Sequence, residues 1–352
     1  MAFPSVIIKI LNMMNGSIPG VAFHFLFVGY GTVTGDVRNL IMVDASTDLD
    51  EALAKADPAL LTTLKAAQLN GKSSWTAGVM IIGKNDKWQD AVSKANETSS
   101  FEAFVLNFPA TDKTLLEEAI ALRTELKSKL GREVFAMCTT PAIDTTTKTG
   151  EDWATWLAAT VAIQKGVASE YITVVPQVHL TNSTIGIYAG RLANQEVSIA
   201  DSPARVKTGS ILGSSDLAID KDGKPLELAY LKALESNRYS LPMWYPDYPG
   251  QYWTTGRTLE VPGGDFQDIR HIRVAMKAAR NCAFVQSLVL LIESLIHLLQ
   301  ARPQPNCIFL KTYVRWRLLQ RLVIMNSLVK LNHLKMMTSL LHGKAVMKLK
   351  FY

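Results

Sequence analysis

Several stretches and single residues of this 352-residue chain are of types that could do chemistry. Val28-Gly29-Tyr30-Gly31 follows an apolar run and has the opening of a dinucleotide-binding loop. In such loops the glycines lead into a helix whose N-terminus holds the pyrophosphate. Here the third glycine is Gly35, one position late, and Thr32-Val33-Thr34 does not begin a helix. The segment reads as a β-turn. Asn70-Gly71-Lys72-Ser73 resembles the end of a phosphate-binding loop. Ala66 stands where its first glycine is required, and the lysine follows a helix instead of a strand.

His24, His179 and His271 lack the spacing of zinc ligands, and none lies in an HExxH arrangement. Asp201-Ser202 could join His179 as a fragment of a triad. No nucleophile elbow surrounds the serine, and Ser202-Pro203 reads better as a turn. Cys138 ends a strand pattern and reads as a small buried hydrophobe. With Cys282 and Cys307 it makes an odd set without metal spacing, which suits a reducing compartment. These residues give no catalytic, cofactor or metal site.

The elements around them form a regular series. Apolar runs predict strands over 6–11, 23–28, 39–43, 75–82, 103–108, 133–137 and 171–175. Helical patterns fall over 47–56, 59–69 (with Pro58 in the first turn), 87–96, 111–130 (closed by Gly131), 153–167, 185–194 and 225–236. Strands alternate with helices from about 39 to 200, which predicts an α/β fold with a largely parallel or mixed sheet and β-rich flanking pieces. A Gly/Ser-rich connection covers 201–222. The expected segments are an N-terminal arm and β-rich piece (1–38), an α/β domain (39–200), a loop, aromatic turn and helix (201–281), and a tail (282–352). A hydrophobic content of 48% supports a substantial core, and no signal-peptide pattern opens the chain.

One segment is dense in aromatics. Trp244, Tyr245, Pro246, Asp247, Tyr248, Pro249 and Gly250 form a turn, and Tyr252 and Trp253 begin a short strand over 252–257. Pro246 and Pro249 restrict φ on either side of Asp247, so the loop has little freedom to lose on ordering. Aromatics in a stiff loop with no nucleophile or base point to packing, in a core or at an interface. Pro262-Gly263-Gly264-Asp265 is a second turn, with Asp265 as the expected N-cap of a helix over 265–280.

Together with this segment, several short words in order resemble the contractile tail sheath proteins of bacteriophages, in the branch long labelled a family of unknown function. They are Met1-Ala2-Phe3-Pro4-Ser5-Val6, His24-Phe25-Leu26-Phe27-Val28-Gly29, Glu97-Thr98-Ser99-Ser100-Phe101-Glu102-Ala103, Ala193-Asn194 with Val197 to Pro203, and Asp220-Lys221-Asp222-Gly223. The resemblance covers about residues 1–281. It implies a structural subunit of a phage or prophage-derived tail that stacks as hexameric rings around an inner tail tube. Implied partners are further copies of itself, the tube protein, and baseplate and tail terminator proteins, with no nucleic acid, membrane, cofactor or enzymatic activity. It implies assembly in the host cytoplasm, residence in the virion tail, and terminal strands exchanged between neighbours. An α/β enzyme, or a membrane- or nucleic-acid-binding protein acting through a basic tail, are the alternative readings.

The tail breaks the resemblance. Residues 282–352 hold ten Lys/Arg and one acid, Glu293, for a charge of +9. The remaining 27 bases and 30 acids leave residues 1–281 at −3, so the net +6 belongs to the tail alone. Sixteen of these 71 residues are leucine and none is aspartate. Its apolar run over 283–299 is interrupted too often for a membrane span, and Arg315, Arg317 and Arg321 follow. A shift of reading frame near Asn281 accounts for this texture. In the frame that begins on the third base of each codon, Met325-Asn326 encodes Glu, Met336-Met337 and Met337-Thr338 each encode Asp, and Met347-Lys348 encodes Glu. Methionine has a single codon, so these acids are forced by the genetic code. A chain carrying this tail would then be irregular or fortuitously helical after Asn281 and would lack the linking arm and tube contacts. Sequencing across codons 277–287, with peptide mass spectrometry of the product, is expected to return a one-base insertion or deletion; an unchanged frame in intact virions would make the tail genuine.

Overall fold

The computed structural model describes residues 21–32, 39–147, 149–204, 209–214 and 216–282. The strand expected over 6–11 and the tail from 283 lie outside the described residues. Contacts divide the chain into one unit ending at Met276 and a second from Lys277 to Tyr352; the sheet belongs to the first.

Apolar runs that do not alternate with polar residues suit strands covered on both faces. Five of them pair in parallel: β1 (Phe25–Tyr30), β3 (Thr76–Ile82), β4 (Ala103–Pro109), β5 (Phe135–Thr139) and β6 (Ile172–Val175). The short β2 (Ile41–Asp44) adds an antiparallel edge to β3, and the order is β2-β3-β1-β4-β5-β6. The expected α/β class with a mostly parallel sheet is what forms. β1, from the segment expected as an N-terminal piece, is internal to the sheet, between β3 and β4.

Period-two alternation within the strands divides two apolar layers. Leu26, Val28, Phe104, Leu106, Ala136 and Cys138 face α3 (Trp88–Thr98), α4 (Thr114–Leu130), α5 (Trp153–Ile163) and α7 (Leu228–Ser236). Phe25, Phe27, Val79, Val105, Phe135 and Met137 face α1 (Leu49–Ala52), α2 (Pro58–Gly71), α6 (Thr184–Ala193) and helical residues 269–276. Cys138 is fully buried and its thiol is pushed up to about 12 by desolvation, as a packed hydrophobe requires. α4 ends at Gly131 as its pattern indicates. A hairpin of β7 (Pro242–Met243) and β8 (Tyr252–Trp253) flanks the sheet. The free edge of β6 is closed by backbone bonds from Ser240 N to Val174 O (3.0 Å) and Leu259 N to Ile172 O (2.9 Å).

Three local expectations are corrected. Gly29-Tyr30-Gly31 is not a turn: β1 runs through Tyr30, and Gly31 bridges to Ala56. The glycines answer to packing, since a Cβ at Gly29 would lie 2.9 Å from Leu60 Cδ1 and one at Gly31 2.3 Å from Lys55 O. The helix over 47–56 is only Leu49–Ala52, capped by Asp48. The helix expected from Asp265 begins at 269, where Asp268 Oδ1 accepts from Arg270 N (3.1 Å).

Helices α2 and α6 meet backbone to backbone. Gly186 and Gly190, one turn apart, lie against the backbone of α2, and a Cβ on either would stand 2.3 Å from Thr63 O or Ala67 O. Backbone carbonyls cannot step aside as a flexible side chain does, so Gly190→Ala is expected to destabilise the fold by about 1–3 kcal/mol. Urea denaturation measures this, and an unchanged midpoint would remove the contact from the account.

Candidate assembly surface

The carboxyl ends of the parallel strands are where an α/β fold ordinarily places a ligand site. Here that edge is built from neutral polar side chains. Thr63 of α2 donates to Ser183 Oγ (2.8 Å) and also bonds Asn107 at the end of β4. Ser183 caps α6, accepting from Gly186 N at 3.2 Å. The amino end of α6 could attract an anion, but the chain supplies its own. Asp216 Oδ2 accepts from Thr181 N (2.7 Å), Asn182 N (2.9 Å) and the Thr181 hydroxyl. Burial works to raise the Asp216 carboxyl, and the Thr181 contacts and His179 more than offset it, so its pKa lies below the usual value.

The suspected chemical residues serve packing. His179 is buried and bonds Thr184 Oγ1 (2.8 Å) and Gln251 Oε1 (3.4 Å); desolvation lowers its pKa despite the charge of Asp216. Residues 201–204 form turns, as Ser202-Pro203 suggested. His24 stacks on Phe101 (4.9 Å) beside Thr76 and is likewise lowered by burial. His271 Nδ1 lies 3.2 Å from Asp265 O. Asn70, from the phosphate-loop look-alike, clamps a loop instead: its amide donates to Leu212 O (3.0 Å) and accepts from Leu212 N (2.9 Å). Among the described residues no group of three or more His, Cys, Asp or Glu could hold a metal ion.

The aromatic segment divides in two. Trp253 is fully buried, stacked on Tyr188 (4.6 Å, 19°) and bonded through Nε1 to Ser240 Oγ (3.0 Å). Tyr252 is also buried, and its hydroxyl donates to Pro249 O (3.0 Å). The turn itself projects: Trp244 is half-buried, Tyr245, Pro246, Asp247, Tyr248, Pro249 and Gly250 are exposed, and Asp247 takes φ 63°. Tyr245 and Tyr248 flank the Tyr252 ring at 5.7 and 5.8 Å. Together with Ile211 to Ser214, this turn borders a cleft of about 540 Å³. Gly213 also lines the next cleft, beside Leu69, and Thr181 and Asn182 line both that cleft and a third, beside Leu180.

Through these shared residues the three clefts adjoin one another, from the strand ends at Asn107 and Thr139 along α2 to the aromatic turn. Of nine exposed large hydrophobics among the described residues, five line them: Leu69, Leu180, Leu212, Tyr245 and Tyr248. Lys65 and Asp216 are their charged lining residues, and Lys65 is engaged by Asp50 at 2.7 Å. Sequence reasoning found the tyrosines and missed the leucines, which come from three separate segments. Leu69 lies in α2, and no single stretch shows the patch.

Residues 3–257 match the family described as DUF2586, N-terminal domain. The chain belongs to this family. It is 39% identical over 283 residues to a protein of Haemophilus phage HP1 (strain HP1c1) described as "Putative tail sheath protein", covering 79% of this chain and 74% of that one. The resemblance to phage tail sheath proteins seen in the sequence therefore holds. Among solved structures, the chain matches the sheath tail protein of Desulfitobacterium hafniense at 12% identity, over 84% of this chain and 88% of that chain, with a TM-score of 0.49. The anti-feeding prophage baseplate gives 15% identity, 92% and 84% coverage, and a TM-score of 0.49. The family assignment rests on the domain match and the phage relative.

The DUF2586 chain's two aromatic environments should separate in a stability measurement. Trp253→Ala is expected to cost about 3–5 kcal/mol, whereas Tyr248→Ala stays within about 0.5 kcal/mol of the parent. Chemical denaturation of both checks this, and equal losses would show that the turn belongs to the core.

Proposed function

We propose that this chain is a structural subunit of a contractile phage tail sheath. Subunits polymerise as stacked hexameric rings around an inner tail tube and join baseplate and terminator proteins at the ends. The single observation that carries this reading is the 39% identity to the phage HP1 protein over 283 residues. The work is mechanical: an extended lattice relaxes to one with more buried interface and drives the tube forward, without nucleotide or metal. The polymer is assembled in the bacterial cytoplasm and resides in the virion tail.

The neutral, aromatic groove supports the same reading. Interface cores are depleted of charge and enriched in Tyr and Trp, which supply area at low entropic cost. The groove from Leu180 to Tyr248 is assigned to contact with a neighbouring subunit. A chain ending in the basic 282–352 tail is expected to stay unassembled, and restoring the alternative frame is expected to recover polymers.

Electron microscopy of full-length protein, expressed in the frame that sequencing returns and supplied with its tube protein, tests the reading. Tubular polymers are expected from the parent. Tyr245→Ser with Tyr248→Ser should abolish them while leaving Tm within about 3 °C, since surface changes rarely exceed 0.5 kcal/mol. Polymers from the double variant would release the turn from the interface, and a persistently monomeric parent with an intact C-terminus would overturn the sheath assignment.

A further inference from the structure

The chain arrives at the sheet through Phe23, whose φ of 76° lies in the left-handed region that bulky side chains rarely adopt. Its amide donates to Glu102 Oε2 at 2.7 Å. The same carboxylate takes Arg273 in a two-pronged pair, Nε to Oε1 at 2.9 Å and Nη2 to Oε2 at 2.8 Å. Glu102 is 0% and Arg273 3% exposed. The guanidinium also lies 5.3 Å from the Phe23 ring and 5.7 Å from that of Phe25. Glu102 is fixed in turn by its own backbone, which donates to His24 O at 2.8 Å and accepts from Phe135 N at 3.1 Å.

One buried carboxylate thus joins the start of the described sheet to the helical residues 269–276, which lie 171 positions along the chain from it at Arg273. Three donors converge on it, and withdrawing one leaves the others facing a buried charge that is under-satisfied. We propose that Glu102 is a latch that couples the backbone conformation at Phe23 to the docking of helix 269–276, so that releasing either loosens the other. The coupling is a property of the single chain and holds whatever assembly the chain enters.

Hydrogen exchange on the full-length protein tests it in both directions. Phe23→Pro removes the amide donor and forbids the positive φ. Exchange at amides 273–276 is expected to rise at least tenfold, while paired amides of β3, β4 and β5 keep their parent rates. Phe23→Leu keeps the donor, loses the ring, and is expected to change the same amides less than threefold. Arg273→Lys retains charge without the two-pronged geometry. It is expected to speed exchange at Phe23 and His24, and decides the matter if Phe23→Pro does not fold. Parent rates at 273–276 in Phe23→Pro, uniform acceleration across the sheet, an equal effect of Phe23→Leu, or no effect of Arg273→Lys would each overturn the latch.

Discussion

The backbone contact between α2 and α6 is the constraint on which the carboxyl edge depends. Gly186 and Gly190 let α6 lie directly on the carbonyls of Thr63 and Ala67. That approach brings Thr63 within 2.8 Å of Ser183 and sets the amino end of α6 beside the end of β4. Asn70, one turn beyond Ala67 on the same helix, then holds Leu212 at its backbone. The loop over 209–214 is fixed by this clamp and by the bond from Ile211 N to Gln251 O at 2.8 Å, which ties it to the aromatic turn. A groove made from distant segments therefore rests on two residues without side chains.

The same edge shows how an α/β scaffold can be occupied by its own groups. A helix N-terminus at the end of a parallel strand favours an anion. In this chain Asp216 meets the amides of Thr181 and Asn182 just ahead of α6. His179 nearby is held below its ordinary pKa by burial, as a packed neutral ring. What the adjoining clefts offer outward is Leu69, Leu180, Leu212, Tyr245 and Tyr248, apolar surface of the kind that another protein covers.

Much of the fold was legible because parallel strands need apolar residues on both faces and so stand out as uninterrupted runs; β1, β3, β4 and β6 follow their runs closely. Pro58 at the first turn and Gly131 after the last marked the limits of α2 and α4. Errors arose where one residue type serves two purposes. Gly29 and Gly31 look like turn residues, yet they admit Leu60 and the backbone at Lys55. Asp265 and Asp268 both satisfy a capping pattern, and only the bridge between Arg257 and Asp268 and the bond from Ile269 N to Gly256 O (2.7 Å) select the second. The aromatic segment gave the identity of the surface without its boundary: Tyr248 and Trp253 look alike in sequence, and one is 56% exposed while the other is fully buried. The Glu102–Arg273 pair carried no local signal, because its partners meet only when the sheet and the last described helix have formed.

The most direct test of the central claim is electron cryo-microscopy of tails purified from the phage that carries this gene. The account predicts that the product of this gene, read in the restored frame after Asn281, forms the sleeve around the tube, with the Trp244 to Gly250 turn and the groove beside it covered by an adjacent copy. A sleeve built of another protein, or of this one with Tyr245 and Tyr248 facing open solvent in both extended and contracted tails, would contradict it.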